Sequence, residues 1–321
     1  MTASASRRVR VAEIENVAEG VKRFRLVDSS GAKLPIFSAG SHVIVTMHDG
    51  NGHIWKNAYS LTSAPEDTSA YEIGVLRTVD SRGGSQFMHE RVTPGVELEI
   101  SDPVNLFPII RTGRKHILIA GGIGITPFLA MLKELSARGD AFELHYGVRS
   151  PERAPFIQYL TSTYGDRVKI YRDDLGEVIP LKSILAGQPL GTHMYVCGPA
   201  PMIEWALQTG RAAGWPHESL HSEKFNAPAP GSAFTVKLAR SGREILVAPQ
   251  QSLLEALEAN GVDAPYLCRG GACGQCETGV VACTGKLEHN DDYLTQQEKA
   301  SGGKIMLCVS RASGGVLTLD L

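Results

Sequence analysis

The chain has 321 residues, a formal net charge of −2 and 43% hydrophobic residues. This length predicts two or three domains with substantial cores, and the balanced charge gives no support for nucleic-acid binding. No apolar run approaches the roughly 18 residues of a membrane span, the N-terminal stretch is unlike a signal peptide, and six cysteines are too sparse for a disulfide framework. We therefore expect a cytoplasmic protein with reduced thiols and no membrane association.

The first part of the chain, residues 1–108, alternates in the manner of β-strands. Clear examples are residues 8–12, 41–47, 71–76 and 96–100, with Gly, Pro, Asp and Asn between them. No convincing helix interrupts this pattern. The sequence therefore predicts an antiparallel β-barrel or sandwich here.

The pattern changes over residues 109–225. A short apolar strand at 116–120 is followed by a glycine turn and a helix at 127–138, and further strands are expected at 142–146, 168–171 and 194–197. Alternation of strands and helices predicts a parallel, doubly wound α/β sheet.

The glycine turn offers a place for a dinucleotide pyrophosphate. Gly121, Gly122 and Gly124 permit a tight turn, Thr126 is a plausible N-cap, and Pro127 suits the first helical turn. Such turns also occur without a ligand, and this one matches neither the dehydrogenase fingerprint nor the P-loop.

A second segment, Cys197-Gly198-Pro199, follows a later strand of the same predicted sheet. Ligands of open α/β sheets bind beyond the carboxyl ends of the strands, so Cys197 is expected at the nicotinamide. The alternative is that Cys197 is a small buried core residue.

The last part of the chain comprises a Pro-rich linker at 226–232 and a domain at 233–321, with a hairpin at 234–238 and 244–247 and a helix at 252–260. Cys268, Cys273, Cys276 and Cys308 have the plant-type ferredoxin spacing for a [2Fe–2S] cluster. A zinc site is the alternative, but zinc sites usually show two close pairs of ligands.

Read together, these segments resemble the phthalate dioxygenase reductase family over essentially the whole chain. Within that family, the sequence around residues 56–61 most resembles reductases of carnitine- and phenoxybenzoate-type oxygenases. The motifs that carry the resemblance are Ala58-Tyr-Ser-Leu61, Arg82-Gly-Gly-Ser85, Pro103-Val-Asn-Leu-Phe-Pro108, Gly121-Gly-Ile-Gly-Ile-Thr-Pro127, Cys197-Gly-Pro199, Glu223-Lys-Phe225 and the four cysteines.

The resemblance implies an FMN barrel, an NADH domain and a ferredoxin domain in that order. It implies that electrons pass from NADH through FMN and the cluster to a Rieske-type oxygenase. We also expect the protein to be a monomer. The absence of a long adenosine-holding segment in the barrel also favours FMN over FAD. Two other functions stay open: a reductase for a haem monooxygenase or another acceptor, and a metal-binding sensor without turnover.

The resemblance also implies residue roles. Tyr59 would stack on the isoalloxazine, and Ser60 would hydrogen-bond near the flavin N5 atom. Ser60, Cys197 and Glu223 would surround the hydride-transfer site, and Phe225 would cover the other flavin face.

One departure from the family concerns the flavin phosphate. The family usually places an arginine two residues before the tyrosine, where this chain has Asn57. Either Lys56 reaches the phosphate, or Arg82 and the backbone of Gly83, Gly84 and Ser85 do most of the binding.

Two further expectations concern arginines. Arg149 and Arg153 follow the second strand of the sheet, where they would meet the adenosine end of the nucleotide. They could accept the 2′-phosphate of NADPH or could be part of a solvated surface, and the family favours NADH. Arg269 is the one charged residue in the loop from Cys268 to Cys276, here called the cysteine loop. We expect it on the surface, where it would steer the encounter with the oxygenase.

Overall fold

The computed structural model describes residues 6–50, 52–78, 82–225 and 230–321. The chain forms two compact units, the first ending at Lys224 and the second running from Phe225 to Leu321. Residues 226–229 of the predicted linker lie outside the described residues, and the predicted domain boundaries stay predictions. No helix among the described residues is long and apolar enough to cross a membrane.

The first unit begins with an antiparallel sheet whose neighbours run in the order β4-β3-β6-β1-β2-β5, with β7 paired to β3. Its strands are β1 Arg7–Ala18, β2 Val21–Asp28, β3 Ser41–His48, β4 Ile54–Ser60, β5 Tyr71–Leu76, β6 Glu97–Ile100 and β7 Val104–Asn105. Leu61, directly after β4, forms an antiparallel bridge with Ile73 of β5. This bridge joins the two outer strands, so the sheet closes into the predicted barrel.

Alternation of side chains along these strands fills the barrel interior. Val9, Val11, Phe24, Val43 and Val45 are all fully buried there. The expectation that no helix interrupts this region was wrong, because helix α1 spans Gly84–Glu90 between β5 and β6. Gly83 is the N-cap of this seven-residue helix and Gly84 its first residue, and glycine is a poor helix former, so the sequence gives little signal for the helix.

The parallel sheet follows, in the order β10-β9-β8-β11-β12, with every neighbouring pair parallel. Its elements are β8 Lys115–Gly121, α2 Thr126–Arg138, β9 Ala141–Val148, α3 Ile157–Tyr164, β10 Val168–Arg172, α4 Leu181–Leu185, β11 Thr192–Cys197, α5 Ala200–Ala212 and β12 Leu220–Glu223. The strand order reverses between β8 and β11. That switch point is where doubly wound sheets bind ligands.

The second unit is a mixed sheet in the order β14-β13-β19-β15-β17, beside a β16-β18 pair. Its elements are β13 Phe234–Leu238, β14 Glu244–Val247, α6 Leu253–Ala259, β15 Glu277–Cys283, β16 Lys286–Glu288, α7 Gln296–Ser301, β17 Lys304–Met306, β18 Arg311–Ser313 and β19 Val316–Leu319. Val236, Leu257, Met306 and Leu317 are fully buried in its core. The predicted fold class, a β-barrel, a doubly wound sheet and a ferredoxin domain, is confirmed.

Candidate redox site

The glycines after β8 have separate structural tasks at the switch point. A Cβ on Gly124 would lie 2.3 Å from the carbonyl oxygen of Cys197, and one on Gly121 would lie 2.9 Å from Cδ of Pro199. These two glycines therefore let the turns after β8 and β11 touch. Gly122 instead adopts a left-handed φ of 54° with open space around its Cα. Of the three glycines, Gly122 is therefore the one whose backbone a ligand can approach.

The start of α2 differs in detail from the expectation. Thr126 is not the N-cap but the first residue of the helix, because a 3₁₀ turn at Gly122–Ile125 runs directly into it. Its Oγ1 donates a hydrogen bond of 3.0 Å to the carbonyl of Ile123. Pro127 lies in the first helical turn as predicted, where its missing N–H costs nothing.

Cys197 and Glu223 end the neighbouring parallel strands β11 and β12 and are paired in register. Cys197 is fully buried, and this burial, with the nearby Glu223 carboxyl, raises the pKa of its thiol. Burial raises the pKa of Glu223 to about 8. Its Oε2 atom is buried without a hydrogen-bond partner among the described residues. Both groups are therefore uncharged near pH 7, and Glu223 keeps one unused hydrogen-bonding atom.

Ser60 ends β4 and is also buried with an unused polar atom. Its Oγ has no hydrogen-bond partner among the residues the structure describes, so no hydrogen bond links it to Cys197 or Glu223. A chain of contacts brings the end of β4 beside the glycine turn that follows β8. Leu61 pairs with Ile73, and a Cβ on the next residue, Gly74, would lie 2.8 Å from the methyl of Thr126.

Asn57 and Tyr59 lie on one face of β4, since alternate residues of a strand point the same way. The Asn57 amide donates to the Tyr59 hydroxyl at 3.1 Å, and burial raises the pKa of Tyr59 to about 12. A Cβ on Gly84 would lie 2.5 Å from the Asn57 amide nitrogen. Lys56 belongs to the opposite face. Asn57, and not Lys56, therefore lies against the start of α1.

The Arg82-Gly83-Gly84-Ser85 segment is held by a residue that the sequence did not single out, Trp55. Its indole N–H donates to the carbonyl of Arg82 at 2.8 Å, and a Cβ on Gly83 would lie 2.6 Å from the indole nitrogen. Ser85 is buried with its Oγ 3.1 Å from the Thr78 hydroxyl. The signal was available, because Trp55 precedes Asn57 and Tyr59 at strand spacing.

The two arginines expected near the adenosine, Arg149 and Arg153, differ in how they are engaged by other side chains. Arg153 forms two hydrogen bonds with Glu19 of the β1–β2 turn, at 2.9 and 3.2 Å. This pairing competes with any role for Arg153 at a 2′-phosphate. Arg149, just beyond β9, is exposed. Phe225 is the first residue of the second unit and is 48% exposed, and its role at the flavin stays a prediction.

The four cysteines of the second unit converge. The sulfurs of Cys276 and Cys308 lie 3.3 Å apart, and the Cys268 sulfur accepts hydrogen bonds from the thiols of Cys273 and Cys308. These thiols, followed by the backbone N–H of Gly270, lower the pKa of Cys268. Shared hydrogen bonds between the sulfurs also lower the pKa of Cys276 and raise the pKa of Cys273 and Cys308, so two of the four sulfurs have thiolate character. The N–H···S contact at Cys268 is of the kind that suits an iron–sulfur cluster.

The sulfurs contact each other directly, and no group of three or more His, Cys, Asp or Glu residues in the described ranges is spaced to hold a metal ion. Three of the cysteines are at most 5% exposed, whereas Cys273 is half-buried. The fit to the cluster thus rests on the donor chemistry and on the surrounding N–H groups.

The expectation for Arg269 was wrong. Its side chain is 6% exposed and paired with Glu258 of α6, so it is not a surface residue that steers a partner.

A Cβ on Gly274 would lie 2.3 Å from the ring of Tyr293, which covers the cysteine loop and is 50% exposed. The sequence around Tyr293 does not indicate this contact, because tertiary packing brings Tyr293 to the loop.

Comparison with known proteins gives matches over the whole chain. Residues 236–313 match the 2Fe-2S iron-sulfur cluster binding domain, and residues 104–220 match the N-terminal domain described as dimethylamine monooxygenase subunit DmmA-like. The chain is 46% identical to a carnitine monooxygenase reductase subunit of Acinetobacter baumannii, across 97% of this chain and 96% of the relative.

Two further matches have similar coverage. The heme-dependent oxidative N-demethylase beta subunit of Ectopseudomonas mendocina is 44% identical across 98% of both chains. The solved structure of phthalate dioxygenase reductase, described as a modular structure for electron transfer from pyridine nucleotides to [2Fe–2S], superposes with a TM-score of 0.88 at 35% identity. It covers 98% of this chain and 97% of that chain.

Proposed function

We propose that this chain, which belongs to the phthalate dioxygenase reductase family, delivers electrons to a Rieske-type oxygenase. As a member of that family it is an NADH-dependent oxidoreductase with FMN and a [2Fe–2S] cluster, and it serves an oxygenase system. The observation that carries the choice of acceptor is the end-to-end similarity to a carnitine monooxygenase reductase subunit. Plant-type clusters lie near about −400 mV and Rieske centres at about −150 mV or higher, so transfer in this direction is favourable.

NADH would bind across the carboxyl edge of the parallel sheet. Gly122 is where the backbone is open to the pyrophosphate, and the turn is fixed by the hydrogen bond of 3.0 Å from the Tyr146 hydroxyl to the Gly122 carbonyl. Gly198 and Pro199 form the facing turn after β11. Arg149 would meet the adenosine end. The pairing of Arg153 with Glu19 supports NADH over NADPH, since a 2′-phosphate would have to compete with that carboxylate.

FMN would lie against β4 and the start of α1. When bound, it accepts a hydride and releases electrons one at a time. Tyr59 would contact the isoalloxazine, its ring orientation set by the hydrogen bond from Asn57. Asn57 and the Arg82 guanidinium would replace the usual arginine at the phosphate, beside Gly83 and the Gly84 and Ser85 backbone. Lys56 is the weaker candidate because it belongs to the opposite face of β4.

Ser60, Cys197 and Glu223 would border the path of the hydride. A hydride moves directly from the nicotinamide, so the residues need only position the reactants and exclude water. The raised pKa values of Cys197 and Glu223 keep both side chains neutral near pH 7. The proton on Glu223 can then be donated in a hydrogen bond, and the Ser60 hydroxyl can donate or accept one.

The cluster would be held by Cys268, Cys273, Cys276 and Cys308. The half-buried Cys273 marks the edge of the loop that lies nearest to solvent. Because transfer to a partner protein requires the cluster to lie near the surface, electrons would leave for the oxygenase at this edge.

The test combines cofactor analysis with acceptor reduction. The purified protein should carry about one flavin and two irons per chain, and acid should release FMN. In stopped-flow experiments the NADH-reduced protein should reduce the oxygenase component of Acinetobacter baumannii carnitine monooxygenase, followed at the Rieske absorption. Recovery of FAD, or of zinc in place of iron, would contradict the cofactor sites. A fully loaded protein that fails to reduce Rieske components would contradict the acceptor.

A haem protein is the second candidate acceptor. The beta subunit of a heme-dependent oxidative N-demethylase is nearly as similar as the carnitine monooxygenase reductase, at 44% against 46% identity. The same stopped-flow experiment with the haem-carrying partner of that beta subunit separates the two. A faster and tighter reaction with the haem protein would favour the second candidate.

A further inference from the structure

Arg269 gives the cysteine loop a backbone conformation that residues with a side chain rarely adopt. Its φ is 53°, and Phe156 is the one other non-glycine residue with a positive φ in the described part of the chain. A left-handed conformation is unfavourable for a residue with a Cβ, because the Cβ then crowds the following carbonyl oxygen. Glycine would avoid this cost, so contacts of the arginine side chain must offset it.

The side chain of Arg269 ties the loop to helix α6. The guanidinium donates to the carboxylate of Glu258, and its central carbon lies 4.3 Å from the ring centroid of Tyr266. The helix is fixed in turn by the capping box of Ser252 and by the hydrogen bond of 2.9 Å from the Leu254 N–H to the Leu307 carbonyl. A buried ion pair of this kind is costly to break, because one charge is left desolvated.

The conformation of Arg269 directs backbone N–H groups at a sulfur. The N–H of Gly270 donates to the sulfur of Cys268 at 3.4 Å, and the N–H of Ala272 also bonds to Cys268. Successive N–H groups around a left-handed residue form a concave anion site, and iron–sulfur centres use such sites.

We propose that the Arg269–Glu258 ion pair is a positioning element that holds this N–H geometry, and that its charge balance sets the reduction potential of the cluster. The proposal rests on the four-cysteine ligation above and not on which oxygenase accepts the electrons. Reduction adds one negative charge to the cluster, so a nearby positive charge raises the potential and a nearby negative charge lowers it. In the intact pair the two charges largely cancel.

The two single substitutions should therefore shift the potential in opposite directions. Arg269→Gln removes the positive charge and should make the midpoint potential more negative. Glu258→Gln removes the negative charge and should make it more positive, and the double variant should return toward the wild-type value. Each potential is measured on the loaded, full-length protein by redox titration followed by electron paramagnetic resonance. Arg240→Gln is the matched control, because Arg240 pairs with Asp320 in the same unit but is 72% exposed.

Two more substitutions separate the backbone from the charge. Arg269→Gly accepts the left-handed conformation without strain, so it should keep its iron while its potential falls. Arg269→Lys keeps the charge but not the planar guanidinium, so its potential should stay close to the wild-type value while iron is lost faster.

A purely structural role makes different predictions. It predicts loss of iron from the variants without opposite shifts of the potential. The proposal is overturned if iron-loaded Arg269→Gly and Glu258→Gln shift in the same direction, or by no more than Arg240→Gln. Loss of iron from all of these variants would equally overturn the tuning role. Because no oxygenase is present in the titration, failure of the proposed acceptor leaves these results unaffected.

Discussion

Replacing Gly124 with alanine tests whether the two turns at the switch point must touch. The new Cβ would lie 2.3 Å from the Cys197 carbonyl oxygen, 2.5 Å from its carbon and 2.7 Å from the Gly198 nitrogen. All three atoms belong to the backbone, so no side-chain rotation relieves the clash. Overpacking of this kind costs about 1–3 kcal/mol. For a unit of this size each kcal/mol lowers the Tm by about 2–4 °C, which gives a fall of about 2–12 °C.

The clash should also affect the reaction with NADH. Displacing the turn that carries Cys197 and Gly198 misplaces the proposed nicotinamide and pyrophosphate contacts, and errors of about 1 Å can cost on the order of 100-fold in rate. We expect kcat/KM for NADH-dependent ferricyanide reduction to fall at least about tenfold. Gly147→Ala is the matched control, because a Cβ there meets its nearest atom at 3.7 Å, an ordinary contact. If Gly124→Ala behaves like Gly147→Ala in both assays, the argument from close approach is refuted.

Three other predictions follow from the charges and ligands described above. Cys273→Ser should lose the cluster, measured as iron content and visible absorption, while NADH-to-ferricyanide activity survives; normal iron content would exclude Cys273 as a ligand. Because burial raises the pKa of Glu223 to about 8, NADH oxidation should slow as the pH rises through that value in the wild type but not in Glu223→Gln, and equal profiles would count against Glu223. Burial lowers the pKa of both His116 and His221 to about 4, and His193 lies 3.0 Å from His221. The unfolded chain therefore binds more protons as the pH falls from about 6.5 to about 4, and urea unfolding should show a loss of stability in this window that His221→Leu reduces.

Local signals in the sequence were sufficient for most of the architecture. The hairpin strands Phe234–Leu238 and Glu244–Val247 were predicted to the residue, because alternating apolar positions flank a Ser-Gly turn. The helix Thr126–Arg138 was missed by one residue at its start, because its N-terminus is a continuous 3₁₀ turn and not a capped loop. Such a start leaves no capping pattern to find.

What the sequence did not reveal depends on contacts between distant parts of the chain. Arg153 pairs with Glu19 at a separation of 134 residues, so its local position after β9 predicted an available charge that the fold engages elsewhere. Arg269 pairs with Glu258, which lies only 11 residues earlier, but the segment between them has no regular pattern from which the contact could be predicted. The spacing of the cysteines was readable because three ligands lie in one short loop, and Cys308 follows at the separation typical of plant-type ferredoxins. The burial of the one charge among them was not readable, because burial is set by tertiary packing.

The unused polar atoms of Ser60 and Glu223 connect the energetics of the fold to its function. A buried polar group without a partner costs about 1–3 kcal/mol, and the described residues offer a partner to neither Ser60 Oγ nor Glu223 Oε2. If these atoms are reserved for the bound flavin and nucleotide, binding should recover that cost. FMN should then raise the Tm of the wild type by more than that of Ser60→Ala, which has no hydroxyl to satisfy. An equal increase in both proteins would mean that the Ser60 hydroxyl gains no partner from the flavin.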